Sequence, residues 1–567
     1  MGETNSKINK IWILLIIASV FLAIKFIFVD FGIDAAFQIS MSYRFIDGDI
    51  MFREMWEPYQ TSTFLCAFFV KLYMGFFHTT TGIVLFLQFV GVMIDLGIAV
   101  FLYKNLRKFS VADRNTAFAM SLVFFLISPK DVAIPEYANM QVWFTLLLGI
   151  FLFSYLNSGK RHLLVLAAVS LCMAVLAYPS CMLLFVATVC VLMKAKDKSG
   201  VAILTGICAL IGGLYILFLL SQGLSVNEMI SSIHYILGIE TSHSMSMADK
   251  ILWYVKVSAE ISILFSAIYA LIYGGLSLYG KLRKKDLSKT QNILLIDSLF
   301  FSVMLCIAVY VTVKSEKYTR YAYAILFVAL MLIGFKHRKK LDDKQLKYYG
   351  ICTVLSCTEF VGTLMLTNLG LIASLPYLLV AAITSFIPIS KALSEDTSHT
   401  WLRQLKTCVV AASVAFLLGR NALIIRPLNG DVSTIFKVSG IVKSGPAVGL
   451  ITEYMGAYIQ NETIKEWEEY VPDGSNIYVV GDIVDTLPYL YSNTNISAPS
   501  LVPTPGYNDM IAEYWEINPD KYPDMIIVSC WYGSLHISED SWIMAWIENE
   551  YHPSYYVDGK YYRYYYR

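Results

Sequence analysis

Acidic side chains occur in two stretches that border long apolar runs. Asp34 follows the first run, in DFGIDAAFQIS, and Asp131 and Glu136 precede a later run, in KDVAIPEYANM. Two carboxylates at a membrane surface can share a divalent metal, or one can take a proton from a hydroxyl group. On local pattern alone, Asp34 is also typical of an acid that stabilises the first turn of a helix.

A cationic group lies between two later apolar runs, in VKSEKYTRYAY. Its members are Lys314, Lys317 and Arg320, with Tyr321 beside them. Cations in a predicted outer loop run against the tendency of membrane proteins to keep Lys and Arg in inner loops. Because such side chains bind phosphate well, the group predicts an anionic ligand such as a lipid phosphate. Anchoring to lipid headgroups is the alternative.

The composition indicates a membrane protein. The chain has 567 residues, of which 57% are hydrophobic and 15% charged, and its mean hydropathy is +0.57. Soluble globular proteins are about 45–50% apolar and about 25% charged, so an ordinary soluble enzyme is excluded. Residues 427–567 hold 19 acidic and 7 basic residues, whereas the remainder holds 24 and 37. A basic membrane part indicates cytoplasmic loops rather than binding of nucleic acid.

Thirteen apolar segments predict transmembrane helices, each of which needs about 20 residues to cross the hydrocarbon core. The run from 163 to 194 is too long for one span, and we divide it at Tyr178-Pro179 because proline disfavours a continuous helix. We therefore expect a polytopic α-helical membrane domain over residues 1–426. The predicted spans are 11–29, 83–103, 115–128, 140–156, 163–178, 180–194, 201–220, 254–279, 291–313, 319–335, 348–366, 371–389 and 407–425.

Positive charge decides the predicted orientation. Segment 61–77 is also apolar, but if it lies on the membrane surface the inner loops hold 25 Lys and Arg and the outer loops 9. Counting it as a span would reverse the later loops. We therefore predict interfacial helices in an outer loop over residues 30–82, a cytoplasmic N-terminus and an extracytoplasmic C-terminal domain. The protein is then an integral plasma membrane protein.

Residues 427–567 predict a small α/β domain. A helix ends near EYVPDGS, strands fit NIYVVGD and DMIIVSC, and a further helix begins with Ser538 as its predicted cap. The last segment, SYYVDGKYYRYYYR, predicts two strands joined around Asp558-Gly559.

Two more acids, Asp95 and Glu359, fall inside predicted spans. A carboxylate at the middle of a bilayer costs at least ~2.5 kcal/mol on insertion scales, so both acids need partners. We expect interhelical hydrogen bonds; an ion pathway is the alternative.

The order of these features resembles the C-type (GT-C) membrane glycosyltransferases, in particular the group of the lipid A aminoarabinose transferase and the protein O-mannosyltransferases. The resemblance covers most of residues 1–335. It rests on an acid after the first span, surface helices in the first outer loop, an acid in the second, a basic-Tyr group late in the bundle and a soluble outer tail. It implies transfer of a sugar from a polyprenyl-phosphate donor to an extracytoplasmic lipid, glycan or protein, with inversion at the sugar carbon.

The resemblance also implies roles for residues. Asp34 and Glu136 match the family's acids in the first and second loops. The phosphate-contacting set before span ten is matched by Lys314, Lys317 and Tyr321, and Arg320 strengthens it.

A divalent metal is a further implication of the resemblance. Glu57, in WEPYQTS, looks like the acid of the family's EKP stretch, although the lysine that follows that acid is absent here. His243 looks like the histidine that joins such a glutamate at a metal.

The main alternative function is a multi-span transporter or flippase for a lipid-linked or small substrate. Transporters of that kind often have paired repeats and broken helices at the midplane, and the sequence has no clear internal repeat. A polysaccharide polymerase or ligase and a non-catalytic scaffold for the tail are further alternatives.

Overall fold

The computed structural model describes residues 10–29, 31–129, 131–241, 247–283, 289–314, 319–367, 370–395, 400–427, 432–481, 487–491, 493–501, 508–538 and 541–567. The described part of the first 423 residues is almost entirely helical, and the remainder contains both strands and helices. The helices of this first part are α1 (Lys10–Phe28), α2 (Ile33–Asp47), α3 (Thr63–Phe77), α4 (Ile83–Lys108), α5 (Arg114–Leu126), α6 (Tyr137–Ser158), α7 (Arg161–Ala177), α8 (Leu183–Lys194), α9 (Lys198–Ser221), α10 (Val226–Thr241), α11 (Met247–Arg283), α12 (Lys289–Lys314), α13 (Thr319–His337), α14 (Asp343–Leu366), α15 (Leu371–Ser374), α16 (Leu379–Thr384), α17 (Phe386–Glu395) and α18 (Thr400–Leu423).

Eight segments in the described part of the chain are long and apolar enough to cross a membrane, which makes this a multi-pass membrane protein. They are Ile83–Lys108, Tyr137–Ser158, Lys198–Ser221, Ala248–Tyr279, Ile293–Lys314, Tyr321–Lys340, Asp343–Leu366 and Leu371–Ser394. The helix pair Trp12–Phe28 and Ile33–Asp47 passes the same test together, with a bend of 59°. Shorter apolar helices cover four other predicted spans, so the total of thirteen stays a prediction.

Two breaks in the apolar helices occur at proline. α7 ends at Ala177, and a short 3-10 turn, Pro179–Met182, separates it from α8, as the sequence predicted. The predicted span 371–389 is divided in the same way, because the 3-10 turn Leu375–Leu378 contains Pro376. Proline lacks the N–H that a continuous helix needs, which explains both interruptions.

The first loop contains the two helices α2 and α3. α3 begins at Thr63 and ends at Phe77, which is within the segment predicted to lie on the membrane surface. At 15 residues it is shorter than a typical span. Its position on the surface stays a prediction.

The C-terminal part is a small α/β unit, as predicted. Its main sheet has the order β6-β5-β7-β10-β9, with β8 beside β7; β5 is parallel to β6 and β7, and β10 is antiparallel to β7 and β9. The elements are β1 (Ile424–Ile425), β2 (Ser433–Thr434), β3 (Val438–Ile441), β4 (Ile451–Glu453), α19 (Tyr454–Tyr470), β5 (Asn476–Val480), β6 (Asn495–Ile496), α20 (Asn508–Ile517), β7 (Met525–Trp531), β8 (Ser534–Leu535), α21 (Trp542–Trp546), β9 (Tyr555–Asp558) and β10 (Tyr562–Tyr566).

One local prediction in this unit needs correction. The helix in SWIMAWIENEY follows Ser541 in the cap position, not Ser538, because Ser541 is the last residue with extended backbone before it. The terminal hairpin forms around Asp558-Gly559 as predicted, with three residues between its strands, since β9 ends at Asp558 and β10 starts at Tyr562.

The C-terminal unit packs on the first loop through backbone hydrogen bonds. The Trp56 N–H donates to the Pro499 carbonyl oxygen at 2.8 Å, and the Gly82 N–H donates to that of Gly445 at 3.1 Å. Trp56 is 1% exposed, and its ring stacks on Tyr235 of α10 at 4.3 Å. The first loop therefore lies between the helical bundle and the C-terminal unit.

The segment between α5 and α6 crosses α4 at a glycine. A Cβ atom placed on Gly91 would lie 2.3 Å from the carbonyl oxygen of Ala133. Real Cβ atoms do not approach an oxygen so closely, so only glycine allows this segment to reach its position.

We expect Gly91→Ala to lower the thermal stability of the purified protein, because the added methyl group must push the 131–136 backbone away from α4. Overpacking typically costs about 1–3 kcal/mol. Gly97→Ala is the matched control, since it is on the same helix and its Cβ would have no neighbour within 4 Å. Equal melting temperatures in detergent for the two variants would contradict the prediction.

Candidate active site

An ion pair between Asp131 and Arg420 joins the segment between α5 and α6 to α18. Arg420, near the end of α18, donates to both carboxylate oxygens of Asp131, at 2.8 and 3.2 Å. Arg420 is 2% exposed and Asp131 is 6% exposed. A second arginine, Arg426, lies 3.7 Å from the same carboxylate. Such a two-pronged contact fixes the orientation of both groups.

Tyr323 brings the start of α13 to the same place. Its hydroxyl donates to the side-chain oxygen of Asn421 at 2.8 Å and lies 3.4 Å from Asp131. The guanidinium of Arg420 donates to this hydroxyl and lies 3.9 Å from the centre of the tyrosine ring. Asp131 itself has a φ of +60°, a left-handed conformation that aspartate tolerates better than most residues.

Asn139 shapes the backbone that leads from Asp131 to α6. Its amide group donates to the carbonyl oxygens of Val132 and Ile134, at 2.7 and 2.9 Å, and its oxygen accepts from Ser128 at 2.7 Å. Glu136 then caps α6, because its carboxylate accepts the Asn139 N–H at 3.1 Å. Glu136 is 1% exposed.

The helix that carries Asp34 packs against the segment that leads to Glu136. Asp34 is the second residue of α2 and is partly exposed. Its neighbours Ala35 and Ala36 belong to one buried cluster with Val132 and Ile134. A Cβ atom placed on Gly32, just before α2, would lie 3.3 Å from the Val132 side chain. The start of α2 and the 131–136 segment are therefore neighbours, although they are far apart in the sequence.

Three stacked tyrosines border the two acids. The Tyr59 ring lies 4.5 Å from that of Tyr137, with an interplanar angle of 26°, and 6.2 Å from that of Tyr178. Tyr178 is the residue at the break between α7 and α8. Flat aromatic faces beside carboxylates suit a ligand with an apolar face and hydroxyl groups.

The predicted phosphate-binding group is described only in part. Lys314 is exposed at the end of α12, and Tyr321 is half-buried in the first turn of α13. Lys317 lies outside the described residues, and Arg320 is described only as part of the α13 helix. Because α13 starts beside Asp131, Tyr321 lies at the same end of the bundle as Asp34.

Glu57 lies in an ionic network with the C-terminal unit. It is 1% exposed, lies 3.6 Å from the Arg44 guanidinium and accepts the Leu501 N–H at 3.1 Å. Arg44 also donates to Asp49 at 2.6 Å, and Asp49 pairs with Lys521. Burial raises the pKa of Glu57, and Arg44 opposes that shift.

These contacts do not suit Glu57 as a metal ligand, since a guanidinium next to it repels a divalent cation. His243, its predicted partner, lies outside the described residues. Within the described ranges no three His, Cys, Asp or Glu side chains are grouped as metal ligands. A bound divalent metal stays a prediction from the resemblance.

The two acids inside the bundle differ. Asp95 accepts a hydrogen bond from the indole nitrogen of Trp143 at 2.5 Å, which is the interhelical bond that the sequence predicted. Glu359 of α14 is 1% exposed, and its carboxylate faces the hydroxyl of Thr145 on α6.

Sequence reasoning missed Arg420, Asn421 and Tyr323. The first two lie in the predicted apolar span 407–425, where a charged residue near the end reads as a boundary residue. The signal available was the arginine itself, because a cation inside an apolar segment normally has a buried partner or a function.

No protein-family profile matches the sequence, and no curated protein is significantly similar to it. Two solved structures align over most of the chain, and both are oligosaccharyltransferases from Archaeoglobus fulgidus. One is the archaeal oligosaccharyltransferase AglB in complex with an inhibitory peptide and a dolichol-phosphate, with 12% identity, a TM-score of 0.38, and coverage of 92% of this chain and 69% of that one. The other is a complex with Zn and sulfate, with 11% identity, a TM-score of 0.34, and coverage of 91% and 68%. Both TM-scores are below 0.5, so these alignments carry no argument about the activity of this chain.

We expect Asp131→Ala and Arg420→Met each to destabilise the protein strongly, because each leaves a buried charge without its main partner. Removing one member of a buried pair typically costs about 3–5 kcal/mol. The double variant should lose less than the sum of the two single losses, as measured by thermal unfolding in detergent.

Lys465→Met is the surface control for this cycle. Its pair with Glu462 is 70% exposed on the lysine side, and such pairs are worth about 0–1 kcal/mol. Strictly additive losses for Asp131 and Arg420 would contradict the coupling.

Proposed function

We propose that this protein is a membrane glycosyltransferase that moves a sugar from a polyprenyl-phosphate donor to an extracytoplasmic acceptor, with inversion at the sugar carbon. The observation that carries the proposal is the packing of the start of α2, which carries Asp34, against the segment before Glu136 at one end of an apolar bundle. A lipid-linked donor needs this location, because its chain stays in the bilayer while its sugar reaches the membrane surface.

Asp34 is the proposed general base. It is the more exposed of the two acids, so an acceptor hydroxyl can reach it, whereas Glu136 is buried and already caps α6. In a single displacement, the acceptor oxygen attacks the sugar carbon, its proton passes to Asp34 and the bond to the phosphate breaks. A positioned base of this kind typically contributes about 10²–10⁴-fold to the rate.

Glu136 is proposed to position the donor and shape the electrostatics around Asp34. Its own orientation is fixed by the Asn139 N–H, and the Asp131–Arg420 pair holds the preceding backbone. Stacked tyrosines next to the acids offer flat faces for the sugar ring. Preorganised groups of this kind lower the cost of aligning donor and acceptor.

The cations Lys314, Lys317 and Arg320, with Tyr321, are proposed to hold the donor phosphate. Negative charge grows on that phosphate as the sugar leaves, and cations stabilise it. The position of Tyr323 supports this assignment, because it places the first turn of α13 beside Asp131. The proposed topology has thirteen spans, with this end of the bundle outside the cytoplasm.

We expect Asp34→Asn to reduce transfer at least about 100-fold, because asparagine cannot accept the proton. The assay uses purified protein in proteoliposomes with a polyprenyl-phosphate hexose and membrane-extract acceptors, and it measures release of polyprenyl phosphate. Asp47→Asn is the control at the other end of α2 and should keep most of the activity.

Full transfer by Asp34→Asn would eliminate Asp34 as the base. Substrate-dependent ion flux without any release of polyprenyl phosphate from the wild-type protein would instead establish a transporter.

We expect Lys314→Gln and Arg320→Gln to raise the KM for the donor by about 10-fold or more. A hydrogen bond to a charged group is worth about 1.5–3 kcal/mol, and 1.4 kcal/mol corresponds to a factor of ten. Lys160→Gln, at an exposed position between α6 and α7, should leave the donor KM unchanged. Unchanged KM values in all three variants would remove these cations from the donor site.

A further inference from the structure

A second polar cluster lies far from the candidate active site. Asp297 of α12 is 4% exposed and accepts hydrogen bonds from Lys336 at 2.7 Å and from Tyr269 at 3.2 Å. The Nε2 atom of His337 lies 2.7 Å from its other oxygen. Charged groups inside apolar helices are expensive, and they commonly mark a functional site.

The cluster is at the opposite end of the bundle from Asp34. Tyr323 and Lys336 are on the same helix, α13, and 13 residues of helix span about 20 Å. Tyr323 contacts Asp131, so Lys336 lies about one helix length away from the sugar-transfer site.

A groove between α11, α12 and α13 ends at this cluster. Its volume is about 530 Å³, which is within the ~300–1,000 Å³ that is typical of ligand sites. The wall is mainly aromatic and aliphatic. Its residues include Phe265, Tyr269, Tyr273, Phe300, Leu332 and Lys336.

The groove opens to the side of the bundle. α11, which forms one wall, has only 6% of its apolar span buried inside the protein. A ligand can therefore enter from the lipid phase. Inside the groove, its contacts with the wall are mainly apolar.

Lys336 supplies a positive end to this groove. Its ammonium group has three N–H donors, of which Asp297 and the Tyr269 hydroxyl take two among the described residues. The side chain is 36% exposed, so the third can reach a ligand. Asp297 offsets the charge of Lys336 and fixes its direction.

The turn that follows is basic. Arg338, Lys339 and Lys340 are consecutive, and the Arg338 guanidinium lies 3.5 Å from the centre of the Phe335 ring. Asp342 is the first acid after them, and it caps α14 by accepting the Gln345 N–H. Basic residues at the end of a groove between transmembrane helices suit anionic lipid headgroups.

We propose that this groove binds an anionic glycerophospholipid, with an acyl chain against Phe265, Tyr273 and Phe300 and the phosphate on Lys336. The site is separate from sugar transfer and does not depend on the proposed function. A soluble ligand fits poorly, because the groove offers it few polar contacts. A neutral phospholipid has no net charge to complement Lys336 and the basic turn.

The test uses full-length protein in nanodiscs that contain equal amounts of phosphatidylglycerol and phosphatidylcholine. Native mass spectrometry then measures which lipids remain bound to the protein after it is released from the nanodisc. We expect the wild-type protein to retain more phosphatidylglycerol than phosphatidylcholine. In Lys336→Gln the bound phosphatidylglycerol should fall about fivefold, because the loss of one cation near an anionic headgroup costs about 1 kcal/mol. Ala270→Trp, which fills the groove without changing charge, should abolish the enrichment.

Matched controls separate this site from general effects. Ala267→Trp is exposed on the same helix outside the groove, and Lys194→Gln removes an exposed cation at the end of α8. Both should keep the wild-type enrichment. If Ala270→Trp fails to fold, Ser266→Phe blocks the same wall.

Three results would overturn the proposal. The first is equal retention of phosphatidylglycerol and phosphatidylcholine by the wild-type protein. The second is unchanged enrichment in folded Lys336→Gln and in the folded groove-filling variant. The third is displacement of phosphatidylglycerol by equimolar polyprenyl phosphate, which would assign the groove to an isoprenoid lipid. None of these results depends on sugar transfer.

Discussion

The Asp131–Arg420 ion pair is the constraint on which the candidate active site depends. Arg420 holds the segment between α5 and α6 to α18, and the Tyr323 hydroxyl, 3.4 Å from Asp131, joins α13 to the same carboxylate. Because both charged groups are buried, the loss of either leaves the other poorly solvated. Gly91 positions the same segment from the opposite side, since it lets the segment lie directly on α4. Together these features fix the backbone that leads to Glu136.

A second buried network joins the first loop to the C-terminal unit. Arg44 donates to Asp49 and to the carbonyl oxygen of Ala498, and Glu57 accepts from Leu501. Asp49 in turn pairs with Lys521. The C-terminal unit is therefore part of the architecture that holds α2, the helix that carries Asp34. Changes in this unit can also reach the site by direct contact, because Leu487 and Leu490 share one buried cluster with Ala35, Ala36 and Val132.

Local features of the sequence predicted much of the fold. Tyr178-Pro179 marked a helix break correctly because proline acts through its own missing N–H, and the strands Asn476–Val480 and Met525–Trp531 followed from short runs of β-branched and apolar residues. Contacts between residues far apart in the sequence could not be predicted from local patterns. Arg420 is 289 residues from Asp131, and Glu57 is 444 residues from Leu501. Neither separation leaves a local pattern, so the metal role predicted for Glu57 came only from the resemblance of the WEPYQTS stretch to the family.

The contacts between the first loop and the C-terminal unit also set an order of events during biosynthesis. The ribosome synthesises Trp56 early and its hydrogen-bond partner Pro499 late. Until the last segment is made, the indole and the guanidinium of Arg44 lack the cover that buries them in the finished protein. A nascent chain therefore carries an unfinished surface through most of its elongation, and premature termination would leave that surface open to chaperones and quality-control proteases. The first loop is thus synthesised early but is among the last parts of the chain to complete its folding.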